Sequence, residues 1–262
     1  MLANPSYLLV QFLNGLSLGM NLFVIAAGLT LILGVLRVLN FAHGAFFLVG
    51  GYVTFSIVKL LADTPGAFWF AVLGAGAALA AMAYVIEQLF LRHLYDRDHV
   101  YQLLLTFALV LLIGDMLKAI WGTSVLSVPY PAGFDGATRL GAIYYPTYRL
   151  LLCALGLNVP RICMTVFVIG SALAGIGGAL AAPVLSVFPG LDAQIIIQCF
   201  IIVIIGGLGN LAGAFLGAFL VGQLTVFGIV FTPGLELILI YLPMVAVLMF
   251  RPWGLLGRQE VQ

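Results

Sequence analysis

Charged side chains are scarce in this sequence of 262 residues. Only 7% of the residues are charged and 64% are hydrophobic, whereas soluble globular domains carry roughly 25% charged residues. A soluble fold of this size could not bury so much apolar surface, so the composition excludes a soluble globular protein. The net charge of +1 gives no electrostatic basis for nucleic acid binding, and we expect none.

Cysteine and lysine are also rare. Cys153, Cys163 and Cys199 lie in apolar stretches without paired spacing, so we interpret them as small buried hydrophobic residues and expect no metal site. Neither Lys59 nor Lys118 belongs to a G-x-x-x-x-G-K-S/T motif, which excludes ATP binding in the P-loop manner. No arrangement of catalytic residues stands out. We therefore expect no enzyme activity and no cofactor bound by this chain.

Long hydrophobic runs make up most of the sequence. The run between Asp192 and Glu236 has 43 residues without a charge, and a glycine-rich break at 206–210 interrupts it. One bilayer crossing takes about 20 apolar residues, so this run is long enough for two crossings. The same reasoning predicts a single transmembrane domain over residues 1–262, an all-α polytopic membrane protein with about eight transmembrane helices, some of them broken or re-entrant. The predicted spans are 7–36, 40–61, 65–91, 100–121, 162–182, 193–205, 211–231 and 236–250.

Arginines in short loops predict the orientation, because Lys and Arg are more frequent on the cytoplasmic side of a membrane protein. They place the N-terminus outside and the C-terminus inside. The arginines assigned to the inside are Arg37, Arg92, Arg97, Arg161, Arg251 and Arg258.

One crossing is incomplete in this scheme. The proline- and glycine-containing stretch 122–145 is predicted to be an irregular outer loop, whereas Arg161 is assigned to the inside. Only Pro146–Pro160 lies between them, and as a helix it is roughly 22 Å long, short of the roughly 30 Å hydrocarbon core. We therefore expect a transmembrane helix that is missing or incomplete near 150–156.

Glycines recur at helical spacing in two of the spans. Gly15 and Gly19 form one pair, and Gly213 and Gly217 form another. Spacing of this kind places two bare backbone positions on one helix face and permits close helix contact. We favour ordinary packing within the chain over the alternative, a pore or a subunit interface.

Polar residues begin the second span, where Asn40, His43 and Gly44 follow Arg37 closely. A broken or re-entrant helix that lines a solvated path is one interpretation. The other is a cytoplasmic helix start with Asn40 as the N-cap and His43 at the membrane interface. The sequence leaves both open, although for Asn40 and His43 we favour bracing of the helix over hydrogen bonds to a zwitterionic solute.

Carboxylates lie near the ends of the spans and not at their centres. Asp115 and Lys118 are three residues apart and share a helix face, so we predict an interfacial ion pair. Glu87 and Glu236 also fall near span ends. This distribution weakens a proton-coupled mechanism, but a secondary transporter or channel for a small polar solute remains the alternative function.

Three segments resemble LivH-type permeases, the membrane subunits of ABC importers for branched-chain amino acids and related solutes. The run GLTLILGVLRVLNFAHG at 28–44 resembles the N-terminal signature of that family. The run IGGLGNLAGAFLG at 205–217 is similar to its glycine-rich segment, and ALGLNVPR at 154–161 resembles the end of the cytoplasmic segment that docks on the ATPase. In relatives, about 35–40 further residues precede this last segment, so part of a crossing is missing between Arg149 and Ala154.

The resemblance implies a subunit of an importer in the bacterial inner membrane. Its partners would be two cytoplasmic ATPase subunits that bind ATP and Mg²⁺, a homologous LivM-type permease, an extracytoplasmic solute-binding protein and membrane lipid. Branched-chain amino acids are the default solute, although related permeases carry urea, amides or aromatic acids. The implied ATPase-coupling residues are Ala154, Leu155, Gly156, Leu157, Asn158 and Arg161. The residues expected at the translocation path or helix break are Asn40, His43, Gly44, Gly206, Gly207, Gly209, Asn210, Gly213 and Gly217.

Overall fold

The computed structural model describes residues 5–36, 39–62, 64–95, 97–140, 143–155, 166–232 and 234–257. Helices make up most of this part of the chain, together with one β-hairpin. The α-helices are α1 (Pro5–Leu36), α2 (Ala42–Leu60), α3 (Ala67–Leu89), α4 (His99–Trp121), α5 (Thr147–Leu155), α6 (Val166–Leu185), α7 (Leu191–Gly206), α8 (Leu211–Phe231) and α9 (Glu236–Phe250), with a 3-10 helix at Leu91–Leu94. The strands are β1 (Ala137–Leu140) and β2 (Ile143–Pro146).

The lengths of the helices confirm a polytopic membrane protein. Six of the described helices are long and apolar enough to cross a membrane, namely α1, α2, α3, α4, α6 and α8. Helices α7 and α9 are shorter but also apolar, which makes up the expected eight. Helix α5 is described over Thr147–Leu155 and lies where the incomplete crossing is expected, near 150–156; the length of that crossing stays a prediction.

Helix α6 packs against α1, α2 and α3. Its sequence explains this packing, because its many glycines and alanines let neighbouring backbones approach closely. Gly170 contacts the backbone of Gly28 on α1, and Gly175 contacts Gly50 on α2. Gly178 faces the carbonyl oxygen of Phe47 on α2. No side chain larger than hydrogen fits at these three contacts without movement of a backbone.

The two predicted glycine pairs form helix contacts within the chain. Gly15 and Gly19 on α1 face α8, where Gly222 contacts the backbone of both. Gly213 on α8 faces Gly206 on α7, and an added Cβ at Gly217 would lie 2.6 Å from the carbonyl oxygen of Ile202. The favoured interpretation, ordinary intramolecular packing, is confirmed at both pairs.

The hairpin corrects the prediction of an irregular loop at 122–145. Strand β1 pairs antiparallel with β2, and Thr138 lies opposite Tyr145. Side chains alternate along β2, since Ile143 and Tyr145 are buried whereas Tyr144 and Pro146 are exposed. The proline and glycine content of the stretch obscured this alternation, which is the signal for a half-buried strand.

Contacts between loops show which helix ends lie together. Leu126, after α4, pairs through its backbone with Val187, after α6. At the opposite end, Gly34 near the end of α1 contacts Gly209 in the turn before α8. The end of α4 thus lies beside the end of α6, and the end of α1 lies beside the turn between α7 and α8, as the predicted topology requires. The assignment of the first end to the outside stays a prediction from the arginine distribution.

Candidate functional site

A cavity of about 530 Å³ opens between α1, α5, α6 and α8. It lies at the end of the bundle where α1 begins and where α6 and α8 end, since Tyr7, Leu185 and Val230 are among its lining residues. This is the end assigned to the outside. Its volume falls within the range of about 300–1,000 Å³ that is common for small-molecule sites.

Helix α1 supplies the polar wall of the cavity. Gln11, Asn14, Ser17 and Asn21 follow one another at intervals of three or four residues, which places them on one face of the helix. The rest of the helix is almost entirely apolar. Polar side chains within a membrane span need partners, and they commonly face a bundle interior or a water-filled cavity.

Asn14 joins this wall to the hairpin and to α5. Its side-chain oxygen accepts hydrogen bonds from the Tyr145 hydroxyl at 3.1 Å and from Nη1 of Arg149 at 2.6 Å. Its amide nitrogen is 3.4 Å from the side-chain oxygen of Gln11. Asn14 thereby fixes the position of the arginine relative to the polar face of α1.

Arg149 is the one charged residue among those that line the cavity. It lies in the first turn of α5, beside Tyr148, whose buried hydroxyl donates to the carbonyl oxygen of Leu180 on α6 at 2.7 Å. Within the described ranges, no carboxylate forms an ion pair with Arg149. The cavity therefore holds a half-buried cation beside uncharged amides.

The other lining residues on α5, α6 and α8 are aliphatic, and their side chains have no hydrogen-bonding group. The aliphatic residues are Leu152, Ala181, Val184, Leu185, Val226, Ile229 and Val230. The cavity can thus bind a polar or anionic group and an apolar group.

These cavity residues are absent from the site predicted from the sequence. The interval of three or four residues between the amides of α1 was a readable signal, because polar residues on one face of an apolar span are unusual. The approach of Arg149 to Asn14 had no local signal, since 135 positions separate the two residues.

The predicted path residues of the second span brace a contact between helices. Nε2 of His43 lies 2.8 Å from the carbonyl oxygen of Ile25, and both groups are buried. Gly28 makes room for this contact, since a Cβ there would lie 3.0 Å from Cε1 of His43. Gly44 packs on the backbone of Asp192 in α7. These contacts agree with bracing, whereas a role of the segment in a translocation path stays a prediction.

The N-cap interpretation of Asn40 is wrong. Helix α2 is continuous from Ala42, its N-cap position is Phe41, and no side chain caps it. Asn40 is buried instead, because α7 and α4 cover this end of α2, and neither polar atom of its side chain has a hydrogen-bond partner. His43 is likewise buried, and its position relative to the membrane interface stays a prediction.

The glycine-rich turn between α7 and α8 holds the segment that follows α9. Asn210 caps α8 by accepting from the backbone N–H of Gly213 at 2.9 Å, and its amide donates to the carbonyl oxygen of Leu256. The backbone N–H of Leu255 donates to the carbonyl oxygen of Ile205 at 2.8 Å. Gly207 packs against Gly254 without space for a side chain. None of the predicted residues Gly206, Gly207, Gly209, Asn210, Gly213 and Gly217 lines the cavity.

The remaining predicted residues lie at the edge of the described chain. Ala154 and Leu155 belong to the last turn of α5, and their side chains are outside the description. Gly156, Leu157, Asn158 and Arg161 fall outside the described residues. The ion pair predicted at Asp115 and Lys118 is confirmed, with 3.1 Å between Nζ and Oδ1.

Comparison with known proteins places the chain among transport proteins. Residues 11–141 and 150–248 match the family described as "Branched-chain amino acid transport system / permease component". The chain is similar to the high-affinity branched-chain amino acid transport system permease protein BraD of Pseudomonas aeruginosa. The two sequences are 27% identical in an alignment that covers 97% of this chain and 97% of the relative. It is 26% identical to the LivH proteins of Salmonella typhimurium and Escherichia coli, over 98% of this chain and 97% of each relative. No solved structure matches the chain.

The alignments also bear on the short helix α5. The alignment with BraD extends over 298 residues, more than the 262 of this chain, so the relative contains segments that have no counterpart here. The family match is interrupted between residues 141 and 150, close to the expected omission after Arg149. The position of the omission within the chain stays a prediction.

Proposed function

Because the chain belongs to the family of permease components of branched-chain amino acid transport systems, we propose that it is the membrane-spanning subunit of an ATP-driven importer for branched-chain or related amino acids. The family match over most of the chain carries this proposal. The helical bundle, the lack of a P-loop motif and the cavity at one end of the bundle all support a subunit that forms a path and leaves ATP hydrolysis to partners.

The proposed assembly divides transport among several proteins in the bacterial inner membrane. An extracytoplasmic solute-binding protein delivers the solute to the outer end of this chain and of a second, LivM-type permease. Two cytoplasmic ATPase subunits bind ATP and Mg²⁺ and alternate between two arrangements. Their contacts with the permease differ between these arrangements, and that difference in free energy shifts the permease between outward- and inward-facing states.

Two sets of residues have roles in this proposal. The segment Ala154–Arg161 transmits the movement of the ATPase subunits, with Gly156, Leu157 and Asn158 as contacts. The close helix contacts at Gly44, Gly206 and Gly213 are places where helices can slide or separate during the transition, because no side chains interlock there.

Copurification tests the assembly. We expect the tagged protein, extracted from its native host in mild detergent, to bring with it two P-loop ATPases, a second permease and a solute-binding protein, identified by mass spectrometry. The ligand that remains on the binding protein would name the solute. Recovery of the chain without any ATPase would contradict the proposal.

Reconstitution separates the proposal from its alternative, a secondary transporter or channel. In proteoliposomes that contain the purified assembly, uptake of labelled leucine should require Mg-ATP and the binding protein. Uptake by this chain alone, driven by an ion gradient and independent of ATP, would instead establish the alternative. The absence of a carboxylate near the centre of a span supports the ATP-driven mechanism.

A further inference from the structure

We propose that the cavity between α1, α5, α6 and α8 is a binding site for an amino acid with a free carboxylate, and that Arg149 binds this carboxylate. The inference rests on the proposed function and extends it, since the sequence left the solute open between amino acids and uncharged compounds such as urea and amides. It also assigns a solute contact to a residue outside the predicted site segments.

The first observation is an arginine that is positioned but not neutralised. One N–H of the Arg149 guanidinium is bound by Asn14, at 2.6 Å. A guanidinium has five N–H donors in a planar fork that matches a carboxylate, so most of its donors remain for a ligand. Within the described part of the chain, no Asp or Glu is within ion-pair distance of this guanidinium.

The second observation is a buried acceptor on the same wall of the cavity. Asn21 is only 5% exposed, and its side-chain oxygen has no hydrogen-bond partner. A buried polar atom without a partner is unfavourable. An ammonium group has three N–H donors, and it would satisfy the Asn21 oxygen once the amide turned toward the cavity that Asn21 lines. The lining thus supplies a cation for a carboxylate at Arg149 on α5 and an amide for an ammonium group at Asn21 on α1.

The third observation is the aliphatic part of the cavity lining. Its valines and leucines on α6 and α8 can bury an apolar side chain, for example against Val184 and Val226. Urea and small amides lack a negative charge to pair with Arg149, and urea lacks an apolar group as well. A branched aliphatic amino acid has both.

Direct binding to the assembly in nanodiscs, without the solute-binding protein and without ATP, tests the site. We expect labelled leucine to bind, and leucinamide, which keeps the amino group and the side chain but lacks the carboxylate, to compete poorly. Arg149→Gln should weaken leucine binding about 10- to 100-fold, the usual range for the loss of a charge-assisted interaction. The same variant should bring leucine and leucinamide close to equal affinity, an effect that a purely structural role would not produce.

Matched variants control for charge and folding. Arg139→Gln removes a positive charge from an exposed position on β1, at the same end of the molecule, and should leave leucine binding unchanged. Arg149→Lys keeps the charge but not the planar fork, so intermediate affinity is expected. Copurification of the ATPase subunits and their ATP hydrolysis show that each variant is folded and assembled.

Three results would overturn the inference while leaving the proposed function intact. In the first result, the wild-type assembly hydrolyses ATP and imports leucine when the solute-binding protein is present. The same assembly binds no leucine when the solute-binding protein is absent. Another is an Arg149→Gln variant with unchanged leucine affinity and uptake. The third is a variant that binds leucine normally but no longer retains the solute-binding protein, which would assign Arg149 to protein docking. Loss of ATPase association in the wild type would instead contradict the proposed function.

Discussion

The contact between α2 and α6 should be among the positions least tolerant of an added methyl group. A Cβ at Gly178 overlaps the carbonyl oxygen of Phe47, and it lies 2.9 Å from the Phe47 carbonyl carbon and 3.1 Å from the backbone nitrogen of Gly51. All three neighbours are backbone atoms, so relief requires movement of a whole helix. Overpacking of this kind costs about 1–3 kcal/mol.

The change from glycine to alanine has a second, opposite effect. Alanine stabilises a helix by up to about 1 kcal/mol relative to glycine, and this gain would mask part of the steric cost at Gly178. Gly114 on α4 provides the matched control, because an added Cβ there meets nothing within 4 Å. The difference between Gly178→Ala and Gly114→Ala cancels the helix preference. It should equal about 1–3 kcal/mol, or about a 5- to 150-fold change in the unfolding equilibrium.

Unfolding in mixed detergent and SDS micelles, followed by intrinsic fluorescence, measures this difference. Trp121 is a suitable reporter, since its ring nitrogen donates to the hydroxyl of Ser56 on α2 at 2.8 Å and its ring lies 5.2 Å from that of Tyr52. We expect Gly178→Ala to unfold at a clearly lower SDS fraction than Gly114→Ala. Equal midpoints for the two variants would refute the reasoning that backbone contact at α6 limits the packing of the bundle.

Three further substitutions test other contacts by the same unfolding assay. His43→Leu removes the bond to the carbonyl oxygen of Ile25 and should cost about 0.5–1.5 kcal/mol, whereas His93→Leu, at an exposed position, should have little effect; equal costs would argue against bracing by His43. Asn210→Ala removes the cap of α8 and the bond to Leu256, so we expect a loss of about 1 kcal/mol and faster proteolysis of the segment after α9, and unchanged proteolysis would contradict the role of Asn210 in holding it. Asp115→Asn breaks an exposed ion pair and should change stability by no more than about 0.5 kcal/mol; a larger loss would show that the pair is shielded in the assembly.

Hydropathy and glycine spacing allowed much of the bundle to be predicted. The spans at 100–121, 211–231 and 236–250 agree with α4, α8 and α9 within a residue or so, because the length of an apolar run follows directly from the thickness of a bilayer. The pairs Gly15/Gly19 and Gly213/Gly217 correctly marked faces of close contact. The hairpin at 137–146 was missed, since four-residue strands carry a weak periodic signal beside prolines and glycines.

The site was less accessible to prediction than the spans. Asn40 and His43 were predicted at the translocation path or helix break because they are polar residues at the start of an apolar segment. Both side chains are buried in the structure. The amides of α1 carried a spacing signal that could have been read, but nothing local connected Asn14 with Arg149.

The multiple membrane spans of this protein, the positions of its long apolar segments and its family follow from the order of its residues. These properties depend on local composition and on short motifs, which the order of residues specifies directly. The packing of α6 against α1, α2 and α3, and the cavity that α1, α5, α6 and α8 enclose with Arg149 in its lining, became visible in the folded protein alone. A face of small residues or a stripe of polar residues indicates that a helix has a contact surface. Which helix packs on that surface depends on packing among helices that are far apart in the chain.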